Sequence, residues 1–468
     1  MTEVVLGLDV GTTAVKAVAF ALDPNGVRSP WRRSSVREYP LLQPAPGWRT
    51  QDPEVVLGAT WDALRDCLAQ VGGARVAAVS VSAAMHGLVG LDAGGRPLTP
   101  LVTWADARSA EEAIYLHASG QASALHAATG TPVHPMSPLT KLMWFARHEP
   151  ELCARVRSWV GLKTLVLRSL TGALVTELSS ASGSGLFDVR SRDWHVDAMA
   201  LAGIAADQLP PVLATTAVLP LGAAAAARTG LPSGTPVVAG AADGPLGNLG
   251  TGAMTPGVAG LSLGTSGALR TVVPEPVVDA DGGLFCYALT DDAWVVGGAV
   301  STGGAVVRWA GEVFGSDLRS ADGAPPDAEL LALAARVPPG SDGLVMLPYL
   351  LPERAPIWDP QLTGAYLGIR SRHTRGHFVR AAVEGVAHQL AAILRRVDAV
   401  SPVASVRGTG GALRSPLWRE VLADALGRPL HVTSAADGSA LGAAALGMVA
   451  IGRAPSPTSG VRLLQAAG

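Results

Sequence analysis

Residues 6–15 read LGLDVGTTAV, and residues 259–268 read AGLSLGTSGA. Aligned, Leu8 falls on Leu261, Gly11 on Gly264, Thr12 on Thr265 and Thr13 on Ser266, with Ser262 where the first copy has Asp9. In each copy an apolar run ends in a Gly-Thr-[Thr/Ser] turn and a second apolar run leaves it, which is a strand–turn–strand pattern. The copies start about half the 468-residue chain apart. Two similar α/β halves are expected, each opening with a hairpin whose tip faces the other half.

Outward from the first hairpin, the spacing predicts strands over 4–8, 15–20 and 75–82. Asp52 and Pro53 read as N-cap and first helical position, with Val55, Val56, Ala59, Leu64 and Leu68 as the apolar stripe of the helix that follows. A third glycine turn, GTGG at 408–411, precedes the helical pattern SPLWREVLADALG. The chain then reaches SALGAAALGMVAIG, a small-residue helix suited to very close packing.

Composition narrows the function. Lys plus Arg is 36 against 38 for Asp plus Glu, a net charge of −2, so nothing marks a nucleic-acid or anionic-membrane partner. With 48% hydrophobic and 16% charged residues, the chain should fold as two or three globular domains. The cysteines Cys67, Cys153 and Cys286 are odd in number and far apart, which argues for a reducing compartment and against a disulfide framework. The start, MTEVVLGLDVGTT, carries Glu3 where a secretory leader would be basic, so a cytoplasmic location is expected. Only Lys16, Lys141 and Lys163 are lysines among the 36 basic residues, so arginine-rich surfaces reflect a general bias.

Turns rich in Gly and Thr offer backbone N–H groups and hydroxyls to phosphate oxygens. There is no GxxxxGK[ST] loop, and no GxGxxG following a strand, so neither a P-loop nor a dinucleotide fold is indicated. Three separate turns, at 9–13, 264–267 and 408–411, suit a nucleotide held between two lobes. Asp9 either caps its own turn or sits beside phosphate with a cation such as Mg²⁺. Asp243 ends the apolar run TPVVAGAA and precedes Gly244, so it reads as a turn-forming Asp-Gly or as an acid at a strand end. His373 and His377 lack the HExxH glutamate, and Ser182 and Ser184 do not form GxSxG.

LDVGTTAVK, GAADG, SLGTSG and RGTGG, in this order, resemble the actin–hexokinase–heat-shock ATPase superfamily, and more narrowly the FGGY carbohydrate kinases. Two signatures carry the narrower resemblance. One spans Met136 to His148, with Pro138, Lys141, Leu142 and Trp144 in pattern. The other spans Gly364 to Glu384, with Gly364, Gly368, His377, Phe378, Ala381 and Glu384 in pattern. The likeness runs from about residue 4 to about residue 452. It implies an α/β chain of two duplicated actin-like, ribonuclease H-like lobes, 1–247 and 248–468, with ATP and a sugar in the cleft between them.

By this resemblance Asp243 is the catalytic base, and Asp9 orients Mg²⁺, the two acids sharing the metal. Thr12, Thr13 and Lys16 match the first phosphate turn, and Thr265 and Ser266 the second. Gly304 and Arg308 fall on the phosphate side, and Gly410, Gly411 and Ser415 on the adenosine turn. Met85 and His86 match a sugar-contact pair, joined by Trp104, Asp106 and Arg108. PLVTWADARS (100–109), TGTPVHPMSPLTKL (129–142), FCYALTDDAWVVGGAV (285–300) and LPERAPIWD (351–359) are most similar to gluconate kinases within the family. Gluconate carries a carboxylate, for which Arg108, His86, His134 and Lys141 are the candidate cations. A kinase of D-xylulose or another polyol is the near alternative, and a sugar-independent ATPase of the actin or chaperone kind the remote one. The expected partners are ATP and a sugar or sugar acid, without nucleic acid or membrane, and a homodimer is compatible with this.

Overall fold

The computed structural model describes residues 2–22, 31–318, 326–433 and 437–465. The first hairpin is β1 (Glu3–Val10) and β2 (Ala14–Leu22), paired antiparallel so that Asp9 faces Lys16 and Val10 faces Val15. With β3 (Arg32–Glu38), β4 (Arg75–Ala83), β5 (Val218–Pro220) and β6 (Pro236–Ala242) they form a six-stranded sheet in the order β5-β6-β4-β1-β2-β3. β4 runs parallel to β1, and β6 parallel to β4, so the ends of all three strands that precede a turn or helix lie together. The strands predicted over 4–8, 15–20 and 75–82 extend one or two residues further at their ends.

The second sheet repeats the plan. β7 (Val258–Leu263), β8 (Gly267–Val273), β9 (Phe285–Thr290), β10 (Ala293–Val300), β11 (Ser405–Thr409) and β12 (Leu430–Val432) lie in the order β9-β10-β8-β7-β11-β12. The β7–β8 hairpin answers β1–β2, and β11 and β12 run parallel to β7 as β4 and β6 run parallel to β1. The two sheets differ at both edges: β10 takes the antiparallel place of β3 and is followed outward by the added strand β9, while β5, antiparallel to β6, has no counterpart beyond β12. The arrangement is the duplicated ribonuclease H-like one.

Helices cover the sheets. In α1 (Pro53–Ala69) the Asp52 carboxylate accepts from the N–H of Glu54 at 2.8 Å and of Val55 at 3.5 Å, the cap read from sequence. The buried face of α1 runs through Val56, Thr60, Ala63, Leu64 and Cys67, while Ala59 and Leu68 are half-buried. Val55, placed on the stripe by the sequence reading, is exposed instead, because it lies one helical step round from Val56. The helices that bear on the site are α2 (Pro138–His148), α3 (Leu162–Thr171), α4 (Asp243–Gly250), α5 (Ala305–Phe314), α6 (Arg375–Val400), α7 (Pro416–Leu426) and α8 (Gly438–Ala450).

The small-residue helix α8 comes from the second half of the sequence but packs on β1 and β4 of the first sheet and on α4. A Cβ on Gly7 of β1 would lie 2.0 Å from the Ala440 carbonyl oxygen, so only glycine admits the helix at this depth. α4 and α8 each begin within an Ala-Ala-Asp-Gly string, at 241–244 and 435–438, a second internal repeat beside that of the hairpins. Asp243 opens α4 and Asp437 stands at the N-cap position of α8 with no side-chain bond to its backbone, and Ser439 Oγ donates to the Asp243 carbonyl at 3.1 Å.

The halves are also joined at the β9 edge. Cys286 N–H donates to the Gly130 carbonyl at 2.8 Å, Ala288 N–H donates to Ser182 Oγ at 3.0 Å, and His126 Nε2 meets the Leu284 carbonyl at 2.8 Å. Segments of the first half thereby cover what would otherwise be an open sheet edge.

Candidate active site

The three glycine turns and Asp243 lie at strand ends or helix starts, while the walls around them come from the interiors of β8 and β9 and from loops. The turn between β1 and β2 is braced from three directions. Tyr39 donates its hydroxyl to the Gly11 carbonyl, Gln51 donates to the Thr12 carbonyl, and Trp104 Nε1 donates to Thr12 Oγ1 at 2.8 Å. Beside this turn Ser82 Oγ donates to Asp9 Oδ1 at 2.7 Å. Burial holds the Asp9 carboxyl above the usual carboxylate range, against the opposing pull of Ser82, Lys16 and Lys163.

Asp243 follows β6 directly. Burial first, and the Asp9 charge second, push its carboxyl up to about 6, while Arg270 and the Gly244 N–H oppose the rise. Below the two acids, Lys163 of α3 donates to the carbonyls of Val81, Ala239 and Ala241, which fastens the ends of β4 and β6 together. Glu177 lies 4.0 Å from the Lys163 ammonium and is buried with it.

Two cavities meet at the glycine turns. The smaller, about 390 Å³, is lined by Thr12, Ser266 and Thr409, one residue from each of the three turns, together with Asp243. Its other walls are Met85, His86 and Trp104 from the first half and Arg270, Tyr287, Arg354 and Trp358 from the second. The larger, about 960 Å³, is lined by Thr265, Gly304, Arg308, Gly411 and Ser415, with Pro416 and Trp418 of α7 as part of its apolar side. The turn at 264–266 therefore gives Thr265 to one cavity and Ser266 to the other, and Thr409 and Gly411 divide in the same way. Gly410 lies between them, where a Cβ would stand 2.2 Å from the Leu263 carbonyl oxygen. Arg308 is exposed, 3.8 Å from Asp327.

Several expected residues lie elsewhere. Thr13 is exposed and lines neither cavity. Lys16 pairs with Asp437 at 2.9 Å, tying β2 to the start of α8. Asp9 is off the cavity wall and acts on it through Asp243. Asp106 and Arg108 do not reach the cavity. They close on each other through Arg108 Nε to Oδ1 at 2.8 Å and Nη2 to Oδ2 at 2.9 Å, with Arg49 N–H donating to Asp106 at 2.6 Å. The Arg108 guanidinium lies 3.7 Å over the Trp48 ring, so the pair is a buried brace behind the Trp104 loop.

The four candidate cations fare alike. Arg108 is neutralised by Asp106. Lys141 donates to the carbonyls of His86 at 2.6 Å, Thr103 at 2.8 Å and Met136 at 2.8 Å, and burial pushes its ammonium down to about 7. It ties three loops together and has no further donor to offer. Burial likewise pushes His86 and His134 down to about 3, so both are neutral. His86 Nδ1 is 2.7 Å from the Gly183 carbonyl, which requires the proton on Nδ1 and leaves Nε2 as an acceptor.

Arg270 and Arg354 supply the positive charge that sequence reasoning did not find. Arg270 is the one charged residue in the otherwise apolar strand GALRTVV, which is a readable signal. Arg354 lies within LPERAPIWD, a string picked out for its likeness and not for this side chain. Its neighbour Glu353 is pushed up to about 7, chiefly by burial. No group of three or more His, Cys, Asp or Glu able to hold a metal occurs among the described residues, and none of their helices is long and apolar enough to cross a membrane.

Residues 4–250 match the N-terminal domain, and residues 259–451 the C-terminal domain, of the FGGY family of carbohydrate kinases. The chain is 36% identical to a gluconokinase of Bacillus subtilis over 97% of its length and 89% of that protein. Crystal structures of a gluconate kinase and of a ligand-bound xylulose kinase, both from Lactobacillus acidophilus, superpose with a TM-score of 0.90 each. The first is 30% identical and covers 99% of this chain and 92% of its own, and the second is 31% identical and covers 98% and 92%.

Proposed function

The chain belongs to the FGGY family of carbohydrate kinases, and from that premise we propose that it transfers the γ-phosphoryl group of ATP to the 6-hydroxyl of D-gluconate, forming 6-phospho-D-gluconate and ADP. The observation that carries this reading is the position of Asp243: a carboxyl tuned to about 6, in the cavity to which all three glycine turns contribute. A base for an alcohol works best with a pKa near the working pH. Phosphoryl transfer otherwise asks mainly for alignment and charge compensation.

ATP occupies the larger cavity, with its adenosine against Gly411 and Ser415 and its phosphates passing the 264–266 turn towards Ser266. The 6-hydroxyl of the sugar acid attacks the γ-phosphorus in line, its proton passes to Asp243, and the bond to the ADP oxygen breaks. Trp104 gives the polyol a flat wall, and His86 Nε2 accepts from a hydroxyl. Two buried carboxylates, one raising the other, fit a divalent cation, and Asp9 and Asp243 would hold Mg²⁺, which neutralises phosphate charge when bound.

D-xylulose is the second reading, favoured by the equal likeness to the xylulose kinase structure. A coupled assay of ADP release and 6-phosphogluconate formation, run with gluconate and with D-xylulose, decides between them. Transfer to gluconate with little to xylulose is expected. Preference for xylulose overturns the substrate, and ATP turnover indifferent to any sugar overturns the kinase reading.

A further inference from the structure

A gluconate molecule with its 6-hydroxyl at Asp243 has its carboxylate at the opposite end of the cavity, and a buried carboxylate needs a cation with free donors. The four cations named from sequence are all excluded by their bonding or by neutrality. Arg270 and Arg354 are the remaining cations on the wall, and among the described residues their guanidinium groups bond to hydroxyls and a carbonyl, not to carboxylates. They stand at different places on that wall. Arg270 Nη2 lies 3.4 Å from where a Cβ on Gly244 would stand, and its Nη1 is 3.3 Å from Ser262 Oγ, so it belongs to the Asp243 end where phosphate meets alcohol.

Arg354 stands on the Trp104 and His86 side of the cavity, and the Asp243 charge is the last of those acting on it. Its Nε donates to Ser301 Oγ at 3.2 Å and its Nη2 to the Val300 carbonyl at 2.8 Å, while the guanidinium lies 4.7 Å over the Trp104 ring. The fork is thus fixed before any ligand arrives, and its remaining N–H groups make no bond among the described residues. Glu353 does not quench it by contact, because its Oε1 is turned to the backbone N–H groups of Arg354 at 2.8 Å and Ser301 at 3.4 Å.

We infer that Arg354 binds the carboxylate of the acceptor and thereby selects aldonates over neutral ketoses and polyols of similar length. The inference rests on the reading of this cavity as a sugar-acid site, which the same experiment tests separately. A neutral sugar would leave the open side of the Arg354 fork in a partly buried wall without a carboxylate in contact, so discrimination comes from an unpaired group as well as from an attractive one.

The experiment compares wild type, Arg354→Gln and Arg354→Lys with D-gluconate, D-glucitol and D-xylulose as acceptors, together with the thermal shift that each sugar produces. In Arg354→Gln the KM for gluconate should rise about a hundredfold, with kcat within a few-fold and the KM for ATP unchanged. The thermal shift by gluconate should be lost and the preference over D-glucitol should collapse. Arg354→Lys, which keeps charge without the fork, should recover part of both. A gluconate KM or thermal shift unchanged in both variants overturns the inference alone. An equal loss with every acceptor and with ATP also overturns it, and assigns Arg354 to the transferred phosphate. A wild-type enzyme that ignores gluconate but phosphorylates a neutral sugar overturns the sugar-acid reading and the inference with it. Circular dichroism of each variant separates these outcomes from misfolding, and Arg354→Lys carries the test if Arg354→Gln does not fold.

Discussion

A carboxyl group that must take a proton from an alcohol works poorly at the usual carboxylate pKa, and Asp243 is lifted towards neutrality by burial and by the charge of Asp9. Two expectations follow at the level of single residues. Asp243→Asn should lower kcat by about 10²–10⁴ while ATP and sugar still bind, measured by turnover and by calorimetry, and full activity in this variant would remove the residue from the role of base. In the wild type, kcat/KM should decline below a pH of about 6, because protonation takes away the base form, and should level off above it. Asp9→Asn removes the charge that raises Asp243, so the acid limb of the profile should move to lower pH as turnover falls. A limb that stays in place would show that burial alone sets the carboxyl.

At the scale of elements, the acids are held in place by packing that takes no part in the chemistry. Lys163 joins the ends of β4 and β6 through three carbonyls, and its companion Glu177 accepts from the N–H groups of Ser179 at 2.5 Å and Ser180 at 3.0 Å at the start of a short helix. Lys163→Met would strand Glu177 in the interior, a change that should cost about 3–5 kcal/mol. The double variant with Glu177→Gln should recover much of that loss in urea unfolding. Lack of recovery would mean that the carbonyl bonds, and not the charge pair, are what matters. Gly7→Ala drives a methyl into the backbone of α8 and should destabilise by about 1–3 kcal/mol. An unchanged unfolding midpoint would mean that α8 shifts readily and is no fixed part of the site.

For the whole molecule, the two cavities proposed for nucleotide and sugar share the glycine turns as a common wall, and water in that space would compete with an acceptor hydroxyl. The seam at Gly130–Cys286 and Ser182–Ala288 is hydrogen-bonded already, so closure should turn about that edge. Small-angle scattering should give a smaller radius of gyration with a non-hydrolysable ATP analogue and gluconate together than with neither. Superimposable curves would exclude closure of that size.

The sequence by itself determined the hairpins, the duplicated α/β plan, the cap at Asp52 and the presence of three glycine turns, because each is local: alternation, turn chemistry and capping act over a few residues. It also brought Asp243 and Thr12 into consideration, since motif and turn coincide there. Tertiary contacts alone decided which charges line the cavity at Asp243. Asp106 and Arg108 look like recognition groups in TWADAR, yet they satisfy each other at two residues' separation, and Lys141 is spent on carbonyls from three distant loops. Arg270 and Arg354, far apart in the chain, meet on one wall because β8 and the loop at 351–359, bonded through Arg354 to the end of β10, converge there. A charge is available to a ligand only when nothing in the fold has already claimed it, and that depends on contacts made across the whole molecule.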